Sequence, residues 1–520
     1  VTPGLLAEQI QADWQAGAQK DIAPNLIDQR GFLQGVNAIL DYAGIPTKRG
    51  GSVLKATSTP LSSARFLWDG EFPVGHRTIY AGPEGTVVLD NDDETPILLS
   101  GGPTAPTKAV EVAGYLFFGS SLYAGSRVEP PTIPGTITLT NGDAHVVGAG
   151  TAFGSHDIGS LLRHGSERAY SVLEITDNSH LILSEPYAGS TAAGQAFTLS
   201  RVASLNVGPY YASDIYCTVA NRLVVAIAPN IVRFSNVNNP HVYGPTDYYN
   251  LPEGVRITGM AGVQQDLLIF TTKGIWLLRG LAYEMVDALG GPQQSLTQVS
   301  DSIVCWGHAG IAPYGGAVVV PTIDGCVVAD AGGVQSDIGR YAVRRQIGHF
   351  TRLGYKPGGA IVYRDTYYLP VLDAANRWIT TLVCKLDLPV RARGRAAVWP
   401  WTELAGTGAD VSAYALRPPT TAGEPAELLG ACNADGNLLD CSGYHEPDEL
   451  NAADHDDSVP EFDIVTRDYP SVQGGGATGR FRRLRALYEM VATDAFPDPR
   501  IDAAVGTAGL SEPGAQWDEV

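Results

Sequence analysis

The sequence is short of the features that usually announce chemistry. Its six cysteines stand apart, at 217, 305, 326, 384, 432 and 441, with no CxxC pair among them. They read as reduced structural side chains, Cys326 within GCVVAD and Cys384 within LVCKLD. No apolar run is long enough to span a bilayer, and no secretory leader is expected from the opening residues. A G-x-S-x-G elbow, a glycine-rich phosphate loop and the Asp-box pattern of sialidases are all missing. Positive charge is scarce too, with 35 Lys and Arg against 55 Asp and Glu and a formal net charge of −20. That balance argues against a surface that grips a phosphate backbone through most of its area. It suits a surface past which nucleic acid slides, or one that is simply soluble.

What is present is punctuation. The 60 Gly and 34 Pro are spread without a collagen-like period, leaving little room for long helices and favouring short strands joined by tight turns. RTIYAGPEGTVVLD (Arg77–Asp90), KAVEVAGYLFFGSSLYAGS (Lys108–Ser126), YCTVANRLVVAIAPNIVRFSN (Tyr216–Asn236) and TGMAGVQQDLLIFTTKGIWLLRG (Thr258–Gly280) share one grammar, continued at 309–333, 357–387 and 426–443. Each is a short apolar run, a turn, and another apolar run. The turns TKG, IDG and ADG supply the positive φ that hairpins demand. Units of roughly 40–50 residues that cannot bury both faces alone predict a mainly β fold, an irregular β-propeller, with stacked β-sandwiches as the alternative.

The organisation follows. Leu6, Ile10 and Trp14 recur every fourth position and predict a short N-terminal helix within 1–20, part of a docking segment over 1–50. The propeller body begins at 51–134. Behind the stiff prolines 130, 131 and 134, residues 135–201 read as an inserted small β domain. The remainder of the body fills 202–520, with an acidic loop at 444–475. About 400 residues then remain for the body, enough for six to eight blades.

The candidate sites are weighed against plainer readings. HDD at His455–Asp457, among Glu446, Asp448 and Glu449, is the densest acid and imidazole cluster, yet lacks metal-ligand spacing and reads as a solvated charge run. NADGN (Asn433–Asn437) lacks the downstream Glu of a calcium loop and reads as a hairpin turn. The acids of LDNDDETP (Leu89–Pro96) are neighbours in one turn, not the facing pair a glycosidase needs, and read as solvated. The 23 tyrosines, as in PYYASDIYC and GPTDYYNLP, read as packing at blade edges. No catalytic, cofactor or metal residue is assigned. The one set singled out is basic: Arg344 and Arg345; Arg391, Arg393 and Arg395; Arg480, Arg482, Arg483 and Arg485. These either pair within the chain, meet acidic surfaces of neighbouring copies, or touch DNA phosphate.

A family resemblance covers about half of the chain. The order of Asn230–Pro240, Ile257–Ala261 and Thr271–Gly280 resembles a pattern in virion tail proteins of tailed bacteriophages. Ile22–Gly51, ending in Lys-Arg-Gly-Gly, resembles the opening of tail nozzle proteins (tail tubular protein B-like) of short-tailed phages. VVGAGTAF, DIGSLLRHG and ITDNSHLILSEPYAGST are similar to a small β module that recurs in phage virion proteins. The C-terminal blades and the 1–20 helix fall outside this pattern. The resemblance implies a non-enzymatic β-propeller in a homohexameric ring that continues the portal–adaptor channel. Its partners would be adaptor or portal-side proteins, tail fibres or tip proteins, and double-stranded DNA in transit. The protein would assemble in the host cytoplasm and reside in the virion tail. The rivals are a receptor-binding or polysaccharide-degrading propeller and a tail-hub adaptor.

Overall fold

The protein is described from a computed structural model. The structure describes residues 52–56, 60–90, 93–104, 106–127, 129–205, 210–281, 295–391, 397–405, 410–419 and 425–442, plus the backbone of strands at 17–18, 31–36, 38–40, 46–48, 462–466, 482–488, 501–507 and 517–519. Seven antiparallel four-stranded units follow one another around an axis as a seven-bladed β-propeller. Blade 1 holds Phe66–Phe72, Gly75–Gly82, Gly85–Asp90 and Asp93–Leu99. Blades 3, 4 and 5 are simple meanders starting at Tyr216, Ile257 and Ala312. Blade 7 is closed by the other end of the chain. Its strands Val411–Arg417, Glu427–Cys432 and Leu438–Asp440 are completed by Val53–Ala56, with Asp440 opposite Val53.

Hairpin chemistry explains the local structure. Gly274 of TKG, Gly325 of IDG and Gly436 of ADG have φ of +106°, +146° and +76°. The tight turns between first and second strands are also left-handed, as at Ala220–Asn221 and Arg364–Asp365, which matches the twist of paired strands. The core is a ring of apolar clusters, each shared by neighbouring blades. Tyr115, Phe117, Tyr216 and Leu223 join blades 2 and 3; Val224, Phe234, Met260 and Ile269 join 3 and 4; Leu67, Tyr80, Leu429 and Leu438 join 1 and 7. Each sheet buries both faces, so each strand pair needs a neighbour on either side. All six cysteines are free, five of them buried in these clusters or beside them.

Two departures from the meander matter. In blade 2, the third strand Ser121–Tyr123 is followed by a separate seven-stranded sheet spanning Thr136 to Ser200 before the fourth strand Val202–Ser204. Its two edge strands, Ala192–Gln195 and Phe197–Ser200, are consecutive in the chain, and His164 Nε2 lies 3.1 Å from Gln195 Oε1 across the gap, nearly closing a small barrel. It has its own core, including Ile137, Phe153, Tyr170 and Leu181. In blade 6, the sheet continues beyond its fourth strand Trp401–Leu404 through Gly31–Val36, Phe462–Thr466, Arg482–Tyr488, Ile501–Thr507 and Trp517–Glu519. Thus 462–466, placed within an acidic loop by the sequence, is a strand. The expected helix of 1–20 lies outside the described residues apart from Gly17–Ala18, which form a short strand paired with Gly31–Phe32.

In a meander, connections after the first and third strands emerge on one face, and those after the second and fourth on the other. The small barrel leaves blade 2 on the first, here the module face. The α-helix α1 (Arg344–Arg352), between blades 5 and 6, lies on the opposite helix face. Its Ile347 and Phe350 are buried in the cluster between those blades.

Candidate functional site

The nine arginines do not form one cluster, but the six that can be placed belong to a single sector. Arg344 and Arg345 open α1 on the helix face and are exposed. Arg344 Nη2 stands 3.8 Å from Asp324 Oδ2, both well exposed. Arg391 is in the connection between the third and fourth strands of blade 6, on the module face, within a two-residue strand where it pairs with Ala397. Arg482, Arg483 and Arg485 sit on the outward extension of blade 6, with Asp463 opposite Arg485 in the register. Arg393, Arg395 and Arg480 lie outside the described residues, as does His455–Asp457. Blade 6 therefore carries arginines above, below and beyond its outer edge.

The axis is bridged by residues that the sequence reading passed over. Lys108, just before the first strand of blade 2, donates from Nζ to the Ile311 carbonyl before blade 5 at 2.6 Å. A buried 3-10 turn at His308–Gly310 immediately precedes Ile311. His308 Nε2 lies 3.1 Å from the Tyr216 carbonyl of blade 3, so it donates, while Nδ1 accepts from the Met260 amide of blade 4 at 3.5 Å. Burial lowers the Lys108 pKa to about 8 and that of His308 to about 3. Burial also pushes the Cys217 and Cys305 thiols up to about 12, so they are protonated, unreactive side chains. The propeller's own channel is thus bridged by bonds between opposed blades.

The small barrel docks through a buried polar cluster. Tyr115 of blade 2 donates to Glu185 Oε1 at 3.1 Å, and His241 Nε2 of blade 3 lies 3.1 Å from the same oxygen. Arg168 Nη1 pairs with Glu185 Oε2 at 3.0 Å. Tyr210 closes the cluster 2.7 Å from His241 Nδ1. Burial works to raise the Glu185 pKa, yet His241 and Arg168 hold it below the usual carboxylate range; burial lowers His241 against the pull of Glu185. At the barrel's base, buried Arg201 binds Glu129 and the Arg127 and Leu98 carbonyls.

Other acids are absorbed by structure. Asp90 of LDNDDETP is buried between Arg77 and Arg127, at 3.3 and 3.1 Å, not solvated as its polar neighbours suggested. The Asp69 side chain is fully buried among His76, Thr78 and Arg417, which ties blade 1 to blade 7. NADGN is the expected turn. Its Asn433 side chain bonds the Trp378 amide and the Ala64 and Asn376 carbonyls, pinning three blades together. Among the described residues no group of three His, Cys, Asp or Glu side chains could hold a metal ion. No described helix is long and apolar enough to cross a membrane.

No protein-family model and no curated protein matches the chain. Solved propeller structures do. Raptor from Chaetomium thermophilum is 10% identical with a TM-score of 0.36, over 77% of this chain and 30% of that one. The Pan2 WD40 domain of Neurospora crassa is 11% identical with a TM-score of 0.32, over 74% and 90%. BBS1N, solved in complex with ARL6DN, is 10% identical with a TM-score of 0.32, over 75% and 96%.

Proposed function

We propose that this chain is a structural, non-enzymatic subunit of a phage tail, forming a homohexameric nozzle ring that continues the portal–adaptor channel. The ring retains packaged DNA and passes it on at ejection. Portal-side adaptors dock on one face, and fibres or tip proteins on the other. One observation carries the ring. On a chain with net charge −20, the arginine-bearing segments at 391 and 482–485 attach to blade 6, a single flank of the disc. A basic flank on an acidic disc fits a side-by-side, head-to-tail contact between copies, the contact type that closes rings. The bridged axis supports the same reading, because a polymer then travels between copies and not through each propeller.

The test is assembly. Purified protein, imaged by electron microscopy and weighed by light scattering, is expected as six-fold rings. Combined Arg482→Glu, Arg483→Glu and Arg485→Glu substitutions are expected to leave folded monomers. Monomeric wild-type protein that cleaves a polysaccharide overturns the reading.

A further inference from the structure

The small barrel is held to the propeller at two places of different chemistry. At its base, Arg201 binds the Arg127 and Leu98 carbonyls and the Glu129 carboxylate. An arginine keeps its charge at every ordinary pH, so this anchor does not respond to protons. At its flank, the barrel meets His241, which lies between the third and fourth strands of blade 3 and whose side chain is fully buried. Histidine is the side chain whose ordinary pKa, about 6.5, places its change of charge near neutrality.

Geometry fixes the form of the ring. Nε2 faces Glu185 Oε1 at 3.1 Å, and Arg168 Nη1, 3.0 Å from Oε2, keeps that carboxylate ionised, so Nε2 carries the proton. Nδ1 is then the acceptor for the Tyr210 hydroxyl at 2.7 Å. The groups around the ring come from three segments: Glu185 and Arg168 from the barrel, Tyr115 from blade 2 with its ring edge-on at 4.6 Å, and Tyr210 from the lead-in to blade 3, with Arg163 of the barrel beyond it. Glu185 is already matched by Arg168, so a second proton on His241 leaves an extra positive charge on a fully buried ring. It also meets the Tyr210 O–H head-on, and that hydroxyl must turn to the Ala169 carbonyl, 3.3 Å away. Burial and the repulsion of Arg168 accordingly hold His241 below the ordinary histidine value, against the pull of Glu185.

We propose that His241 is a proton-operated latch: neutral, it clamps the small barrel against blade 3, and protonated, it lets the barrel swing out about its Arg201 base. The released form leaves the imidazole in water with its ordinary pKa, above that of the docked ring. It therefore takes up the proton first. Docking is complete above about 6.5 and weakens as the pH falls through that value, by up to about tenfold per pH unit until the docked ring is itself protonated. Burial raises Glu185 but His241 and Arg168 hold it below the usual carboxylate range, so its own titration adds to release only in stronger acid. Release uncovers Leu161 and Ala169 of the barrel, which are buried between blades 2 and 3 with Tyr115 and Tyr210. The module face thereby gains an apolar surface in mild acid that it lacks at neutral pH.

Hydrogen exchange on the full-length protein tests this. The Ser171 amide of the barrel donates to the Tyr115 hydroxyl of blade 2 at 3.1 Å, so its protection reports docking. Labelling is done at pH 7.5 and pH 5.5, with times scaled to the intrinsic exchange rate. Peptides over Ser171 are expected to lose protection severalfold and reversibly at the lower pH, while the barrel strands Thr136–Leu139 and His180–Leu183 keep theirs. His241→Gln is expected to abolish the step between the two pH values, at whatever level of protection it shows. In the wild type, ring nitrogen-15 spectra should show His241 titrating below the ordinary histidine value, in step with the loss of protection; this measurement decides alone if the variant does not fold. Equal protection at both pH values, loss throughout the barrel, a step retained in His241→Gln, or a His241 that titrates above the ordinary value each overturns the proposal. The readout is independent of whether rings form.

Discussion

At the scale of single residues, the axis of the propeller is set by Lys108. A lysine whose pKa falls from about 10.4 in the unfolded chain to about 8 in the fold opposes folding while both states are charged. Between those values the unfolded chain still holds a proton that the folded protein has released, so stability rises with pH there. Relative to Lys108→Met, the wild-type protein is expected to gain in denaturant midpoint from pH 7.5 to pH 10. Parallel unfolding curves at the two pH values check it, and a constant difference counts against a strained, charged lysine at the axis. Nothing in KAVEV marked this residue, because its acceptor lies 203 positions along the chain. Cys326 and Cys384 were legible, since their flanking apolar residues already describe a buried strand. The solvated reading of Asp90 failed for the opposite reason: its partners Arg77 and Arg127 come from outside the turn.

At the scale of elements, turns carried the information. Gly274 takes φ of +106°, and a Cβ there would stand 2.0 Å from the Ser300 carbonyl of the neighbouring strand. Gly142 in the small barrel has φ of +79° with nothing within 4 Å. Gly274→Ala is expected to cost about 2–4 kcal/mol, combining backbone strain with a forced shift of the paired strand. Gly142→Ala meets the conformational term alone, about 1–2 kcal/mol. Equilibrium denaturation of both variants checks the ordering, and equal losses would mean the fourth strand of blade 4 yields freely. The hairpins were readable because the two sides of each turn are neighbours in sequence. The strand pairing at Gly17–Ala18 was not, because its partners Gly31 and Phe32 lie beyond the reach of a local pattern.

At the scale of the whole molecule, the small barrel occupies one hairpin connection. Tyr123 and Val202 are paired across blade 2, so the strands entering and leaving the barrel are already side by side. Replacing 125–200 by an Asn-Gly turn is expected to leave a folded propeller that unfolds in one transition at a lower temperature, since Leu161 and Ala169 also contribute to the cluster between blades 2 and 3. Circular dichroism melts check this; loss of all cooperative unfolding would make the barrel part of the propeller's own core. The same scale holds the arginine sector. Its members are scattered over 142 positions, from 344 to 485, and only the fold brings their segments to blade 6.

The amino-acid order alone determined that the protein is built of short hairpins that need neighbours on both faces, because alternation and turn residues act over a few positions. Blade number, closure of blade 7 by Val53–Ala56, the bridged axis and the grouping of arginine segments around blade 6 were decided by the tertiary structure. Each depends on groups hundreds of residues apart, whose pairing is set by which surfaces remain to be buried once the local strands have formed.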